Sequence, residues 1–220
     1  MADRMDEICA ALREWDSPSL SNAIERLNLR PRDTGFTDPS IRNVVPAGRI
    51  AGVAVTVRTR ARKAGDKGID KNLLYEAIAA ANGPAILVAE DDDDPPGLGA
   101  LVGEVTGTHL LALGCVGVVT NGCVRDVDEL EEMGLSVHAL GPCVSHGYIR
   151  VTAVGVPVTV GGLRVEPGDL LHADKHGVLS IPREGAPKLP AIAEQIRIEE
   201  TETITWVRSP AFSIGALLKR

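Results

Sequence analysis

Two short runs made wholly of apolar residues, 85–89 (Ala-Ile-Leu-Val-Ala) and 115–119 (Cys-Val-Gly-Val-Val), lie either side of residues 90–114. A strand with no polar face has both faces covered, as strands of parallel sheets do. Parallel neighbours need a crossover connection, and the helical periodicity between the two runs supplies one. The chain is thereby directed to an α/β fold.

The flanking segments extend that frame. Residues 50–59 alternate, with Val53, Val55 and Val57 on one side, which predicts a strand half covered by core. Asp70 caps a predicted helix through Leu73, Leu74, Ala77, Ile78 and Ala81 that Asn82-Gly83-Pro84 stops. Residues 98–113 and 127–133 read as further helices, and 135–139 as a strand. Met5, Ile8, Leu12 and Trp15 recur at helical intervals, and Ser17-Pro18 opens a second helix as N-cap and first-turn proline. The last third changes character: residues 151–160 and 163–165 flank Gly161-Gly162, a two-residue hairpin signal. Strands at 170–173 and 177–181 and a C-terminal amphipathic helix through Leu189, Ile192 and Ile196 follow. There is no repeat and no linker, so residues 1–220 are expected to form one α/β domain with a mixed parallel and antiparallel central sheet flanked by helices.

Composition enters where function classes are excluded. Hydrophobic residues make up 44% but aromatics only 3%, which argues against base-stacking platforms. The net charge of -7 argues against a phosphate-backbone binder. The longest apolar run, 110–119, is broken by Gly114 and Gly117 and is shorter than the roughly 18 residues of a membrane span. The charged start, Met-Ala-Asp-Arg-Met-Asp-Glu, lacks the apolar stretch of a signal peptide, so a cytoplasmic location is expected. Neither nucleic acid nor membrane is an expected partner. Cys9, Cys115, Cys123 and Cys143 form no Cys-x-x-Cys pair and read as reduced thiols. The acidic run Glu90-Asp91-Asp92-Asp93-Asp94 reads as a solvated loop.

Chemistry concentrates at Thr120-Asn121-Gly122-Cys123-Val124-Arg125-Asp126, which leaves a buried strand, turns through glycine and enters a helix. Ligands gather at such strand ends. Arg125 can clamp a carboxylate through two parallel hydrogen bonds. Asp126 offers a hard oxygen ligand for Mg²⁺ or Mn²⁺. Asp126 and Glu129 also fit a capping box, and the residues alone leave both readings open. Gly97 to Gly103 matches a dinucleotide-binding turn poorly, since its third glycine comes one residue late and acidic residues precede it. Cys123 has no histidine nearby in sequence and reads as filler. His146 reads as a surface or core histidine, the distal end of a substrate being its other reading. His172 and His176 flank Asp174 as a structural trio.

Glu104, twenty residues, Arg125-Asp126, two residues and Glu129 together resemble the signature of the metal-dependent 4-hydroxy-4-methyl-2-oxoglutarate aldolases. The same family includes the trimeric protein inhibitor of ribonuclease E. Residues 157–169 and 173–178 resemble the family's second half, and Ser21-Asn22-Ala23 and residues 52–56 its first, over roughly residues 16 to 205. The resemblance implies a Mg²⁺- or Mn²⁺-dependent lyase that cleaves a 4-hydroxy-2-oxo diacid to pyruvate, with oxaloacetate decarboxylation as a side activity. It implies Asp126 as direct metal ligand, and Glu104 and Glu129 acting through metal-bound water. Arg125 and the backbone amides of Gly103, Glu104, Val105 and Thr106 would hold the substrate carboxylate. It further implies a homotrimer or homohexamer, with Glu199, Glu200 or Glu202 reaching a neighbouring subunit's metal. The family commonly has Asp-Gly where this chain has Asn121-Gly122. A non-catalytic regulator binding a ribonuclease or another protein is the alternative; the ribonuclease inhibitor lacks the aspartate found here at 126.

Overall fold

In the computed structural model, which describes residues 2–219, the chain opens with helices α1 (Ala2–Arg13) and α2 (Ser17–Arg26). Strand β1 (Arg42–Val45), the long β2 (Ile50–Arg60) and helix α3 (Asn72–Ala79) follow. Three strand-turn-short strand units come next. β3 (Ala85–Asp91) leads through β4 (Ala100–Val102) into α4 (Glu104–Ala112). β5 (Cys115–Thr120) leads through β6 (Cys123–Val124) into α5 (Val127–Glu132), and β7 (Ser136–Ala139) leads into β8 (Gly141–Pro142). The final third supplies β9 (Arg150–Val154), β10 (Val158–Val160), β11 (Leu163–Val165), β12 (Leu170–Asp174) and β13 (Gly177–Ile181). Helices α6 (Leu189–Val207) and α7 (Ile214–Leu217) close the chain.

The main sheet runs β1-β7-β5-β3-β2-β12-β13, with β9 paired to the far end of β2. β7, β5, β3 and β2 are parallel, while β1, β12, β9 and β13 join antiparallel. The apolar run on β3 has its expected cause. Leu87 and Ala89 pack with Leu74, Ile78 and Leu110 of α3 and α4 on one face, and Ile86 and Val88 pack with Val158, Val160 and Leu163 on the other. Helices α1, α2 and α6 cover the β12–β13 end through Leu12, Leu20, Ile24 and Leu189. The β10–β11 hairpin turns through Gly161 and Gly162, both at positive φ (53° and 74°), as a tight two-residue loop requires. None of the described helices is long and apolar enough to cross a membrane.

Several local expectations are corrected. Residues 98–113 are not one helix: 100–102 form β4, and the helix starts only at Glu104. Residues 151–160 are two strands, broken at Gly155, whose φ is 69°. Asp16, not Ser17, caps α2, accepting from the Ser19 amide at 2.8 Å, because the Ser17 hydroxyl lies against His172 Nδ1 at 3.0 Å. The acidic run is not a solvated loop either. Glu90 pairs with Arg58 and Asp92 with Arg60, while Asp93 accepts from the amides of Ala61 and Arg62. Asp91 is only 4% exposed and accepts from the amides of Asp93 and Gly97. Its burial holds its pKa above the ordinary carboxylate value despite those bonds.

The structural trio is borne out. Asp174 accepts from the Ser17 amide at the start of α2 (2.9 Å) and from the His176 amide (2.8 Å). Fully buried His172 has its pKa pushed down by burial from 6.5 to about 4. In the unfolded chain this imidazole takes a proton as the pH falls below 6.5, whereas the folded state refuses it until about 4. Stability is therefore complete above pH 6.5 and declines toward pH 4, by about 3 kcal/mol for this one group. Urea unfolding at pH 7 and pH 4 measures the loss, and His172→Gln is expected to make the profile shallower, leaving the contribution of buried His138, whose pKa burial also lowers. A wild-type profile flat over that interval contradicts the assignment.

Candidate functional site

The short strands β4, β6 and β8 form a second, wholly parallel sheet, in which Ala100 pairs with Cys123 and Val102 with Val124. The Arg125 amide continues the ladder to the Val102 carbonyl at 3.2 Å. Gly103-Glu104 and Arg125-Asp126 therefore leave neighbouring strands at the same end, each at the entrance to a helix. Residues 22 positions apart in sequence are adjacent for that reason.

The turn before β6 is held by Asn121. Its side chain accepts from the Asp91 amide at 2.7 Å and donates to the Asp91 carbonyl at 3.0 Å. An aspartate cannot make the second bond, so Asn121 here fastens one strand end to the next.

The capping reading left open by the sequence is tested directly by the geometry of Asp126. Its backbone is left-handed, φ 55° and ψ 48°, and its side chain makes no cap bond to α5. The capping-box reading is thus excluded for Asp126. Its Oδ2 instead accepts from the Glu104 amide at 3.0 Å and lies 3.5 Å from Arg125 Nε, so it serves the N-terminus of α4. Oδ1 accepts no hydrogen bond among the described residues. A left-handed non-glycine residue costs energy, and aspartate bears it better than most. Gly103 makes room for this arrangement. A Cβ there would collide with Asp126 Oδ2 and lie 3.0 Å from Arg125 Cγ.

Gly103, Val105, Thr106, Arg125 and Asp126 line one open cavity of about 320 Å³, together with Lys71, His146 and Ile149. Two cations and the first amides of the nine-residue α4 face a single carboxylate, a combination suited to an anion. The Glu104 amide is taken by Asp126 Oδ2, and Glu104 and Glu129 are both exposed and do not line the cavity. Glu199 is held by Arg26 of its own chain, both contacts at 2.7 Å; neither it nor Glu200 nor Glu202 lines the cavity. Cys123 is half-buried. Burial and the neighbouring Cys143 thiol raise its pKa, the opposite of what a nucleophile needs.

Among the described residues no three His, Cys, Asp or Glu side chains are grouped to enclose a metal ion. The donor set suits a hard, well-hydrated cation: one carboxylate oxygen without a hydrogen bond, beside an open cavity that admits water. Sequence reasoning missed Lys71, which carries no motif of its own; His146, read as a surface or core histidine, is exposed and also lines this cavity. Loop residues 143–149 bring His146 to the cavity because the Ser145 carbonyl accepts from the Ala100 amide at 3.1 Å.

A Burkholderia multivorans protein provisionally named 4-hydroxy-4-methyl-2-oxoglutarate aldolase is 34% identical over 142 residues, 64% of this chain and 80% of its own length. A Pseudomonas syringae protein with the same provisional name is 39% identical over 84 residues, 38% of this chain and 52% of its own length. The match thus spans about half the length of that relative. The crystal structure of Streptomyces coelicolor RraAS2, described as an unusual member of the RNase ES inhibitor RraA family, superposes with a TM-score of 0.71. That alignment covers 92% of this chain and 98% of the other at 19% identity, and so speaks for the fold alone. The profile of the RraA-like family, described as Aldolase/RraA, matches residues 16–180, and with the β4–β6 site and the mixed sheet it places the chain: the protein belongs to the RraA-like family.

Proposed function

We propose that this protein is a divalent-metal-dependent carbon-carbon lyase that releases pyruvate from a 4-hydroxy-2-oxo diacid of the 4-hydroxy-4-methyl-2-oxoglutarate type. Oxaloacetate decarboxylation is its side activity, and the chain works as a homotrimer or a pair of trimers. The observation that carries this reading is Asp126, held left-handed beside Arg125 with one carboxylate oxygen left without a hydrogen bond at an anion-suited cavity. Asp126 would hold Mg²⁺ or Mn²⁺, with Glu104 and Glu129 reaching it only through water from outside the cavity wall, and the ion would supply Lewis acidity toward the 2-oxo group.

The chain's own residues handle the rest. Arg125 and the amides of Val105 and Thr106, the Glu104 amide being held by Asp126, take the C1 carboxylate and fix the 2-oxo plane. In retro-aldol cleavage the 4-hydroxyl loses its proton to water, the C3–C4 bond breaks, and its electron pair passes toward the C2 oxygen. The resulting pyruvate enolate carries negative charge where Arg125 and the α4 N-terminus are already aimed, so both stabilise the transition state. Protonation at C3 gives pyruvate.

Pyruvate release from 4-hydroxy-4-methyl-2-oxoglutarate and oxaloacetate, measured with Mg²⁺ and with a chelator, tests the reading. Metal-dependent release is expected, and its absence from both substrates refutes the reading in favour of a protein-binding role. Arg125→Lys keeps the charge but loses the fork. It is expected to lower kcat/KM roughly 10- to 100-fold, the value of one charge-assisted hydrogen bond.

A further inference from the structure

Lys71 has no part in the chemistry above, yet its side chain is tied to the wall of the same cavity. It directly precedes α3, its ammonium donates to Thr106 Oγ1 in the first turn of α4 at 3.2 Å, and it sits 5.6 Å over the Tyr75 ring. A cation at the positive end of a helix, in a cavity that also holds Arg125, meets unfavourable potential. Three arginines of β2 and β9 are paired, Arg58 with Glu90, Arg60 with Asp92 and Arg150 with Asp66. Lys71 forms no ion pair among the described residues. A surface lysine serving only solubility would turn to water; this one is fixed by a hydroxyl and an aromatic face toward the cavity.

The repulsion is relieved when an anion enters. Arg125 and the free α4 amides suffice for the C1 carboxylate, while Asp126 Oδ2 is taken by the Glu104 amide and Arg125 and its Oδ1 is left to the metal. A second anionic group is left for Lys71. Resting on the lyase reading of this cavity, we propose that Lys71 binds the distal carboxylate of the substrate and so selects dicarboxylic over monocarboxylic 2-oxo acids. His146, which lines the same cavity and whose Nδ1 is occupied by the Gly147 carbonyl at 2.7 Å, flanks that end.

Two inert ligands of equal chain length isolate the distal group: 2-oxoglutarate ends in a carboxylate and 2-oxopentanoate in a methyl. Calorimetric titration in Mg²⁺ buffer is expected to show the wild type binding 2-oxoglutarate roughly tenfold or more tightly than 2-oxopentanoate. Lys71→Met is expected to bring the two affinities within about twofold by weakening only the diacid, and Lys71→Arg to retain the preference. A wild type without preference, a Lys71→Met variant that weakens both ligands equally, or binding of neither ligand overturns the proposal. Pyruvate release is scored separately: diacid preference without cleavage refutes the lyase and leaves Lys71 its role, whereas cleavage without preference does the reverse.

Discussion

Asp126→Asn is expected to abolish metal-dependent pyruvate release, by roughly 10³-fold or more, while the protein stays folded. Asparagine tolerates the left-handed backbone, and its side-chain oxygen still accepts from the Glu104 amide, so the start of α4 keeps its partner. Only the negative charge disappears, and with it the ligand for a hard cation. Loss of Lewis-acid stabilisation amounts to several kcal/mol, and each 1.4 kcal/mol is tenfold in rate. Asp126→Ala adds a structural cost, because alanine fits neither the backbone nor the Glu104 bond. The asparagine variant is therefore the cleaner probe. Steady-state release with saturating Mg²⁺, set beside a thermal melt, decides the matter; an Asp126→Asn enzyme retaining a tenth of wild-type activity removes Asp126 from the metal.

Gly103→Ala comes second in expected effect. Its φ of -146° is extended backbone open to any residue, so conformational freedom is not the reason for glycine here. The added methyl would occupy the space of Asp126 Oδ2 and press on Arg125 at Cγ (3.0 Å) and Nε (3.1 Å). Both functional side chains must move, and displacements of about 1 Å in a positioned site cost on the order of 10²-fold. Stability should change little, because Asp126 and Arg125 are partly exposed and can shift toward solvent. A Gly103→Ala enzyme within threefold of wild type in kcat/KM, or one that is largely unfolded, contradicts this account of the contact.

How much was legible follows element by element. The parallel core could be read because strands buried on both faces write continuous apolar runs, as β3 and β5 do. β6 and β8, at two residues each, are too short to carry any periodicity, and β4 is hidden because Ala100-Leu101-Val102 adjoins a true helix. Arg125 and Asp126 were legible as chemistry but not as geometry. The local pattern Asp-x-x-Glu favours capping, and only the β4–β6 pairing, a long-range fact, brings the Glu104 amide to compete for the same carboxylate. Lys71 was invisible for a related reason: its meaning comes from Thr106, 35 positions away. The acidic run misled because runs are counted as charge, whereas here each of Glu90 to Asp93 is matched by an arginine or by backbone amides.

The small sheet has three strands but only two of its exits carry the proposed carboxylate and metal chemistry. The third exit, after β8, opens into residues 143–149, with Val144 98% exposed and His146 at the cavity. On the proposed reading, reaction and recognition are divided between separate stretches of chain, the distal end falling to Lys71 before α3 and to residues 143–149. A lineage could recast position 71 and residues 143–149 to accept a new distal group while Gly103, Arg125 and Asp126 stayed as they are, a division of labour that would make this scaffold readily evolvable toward new substrates.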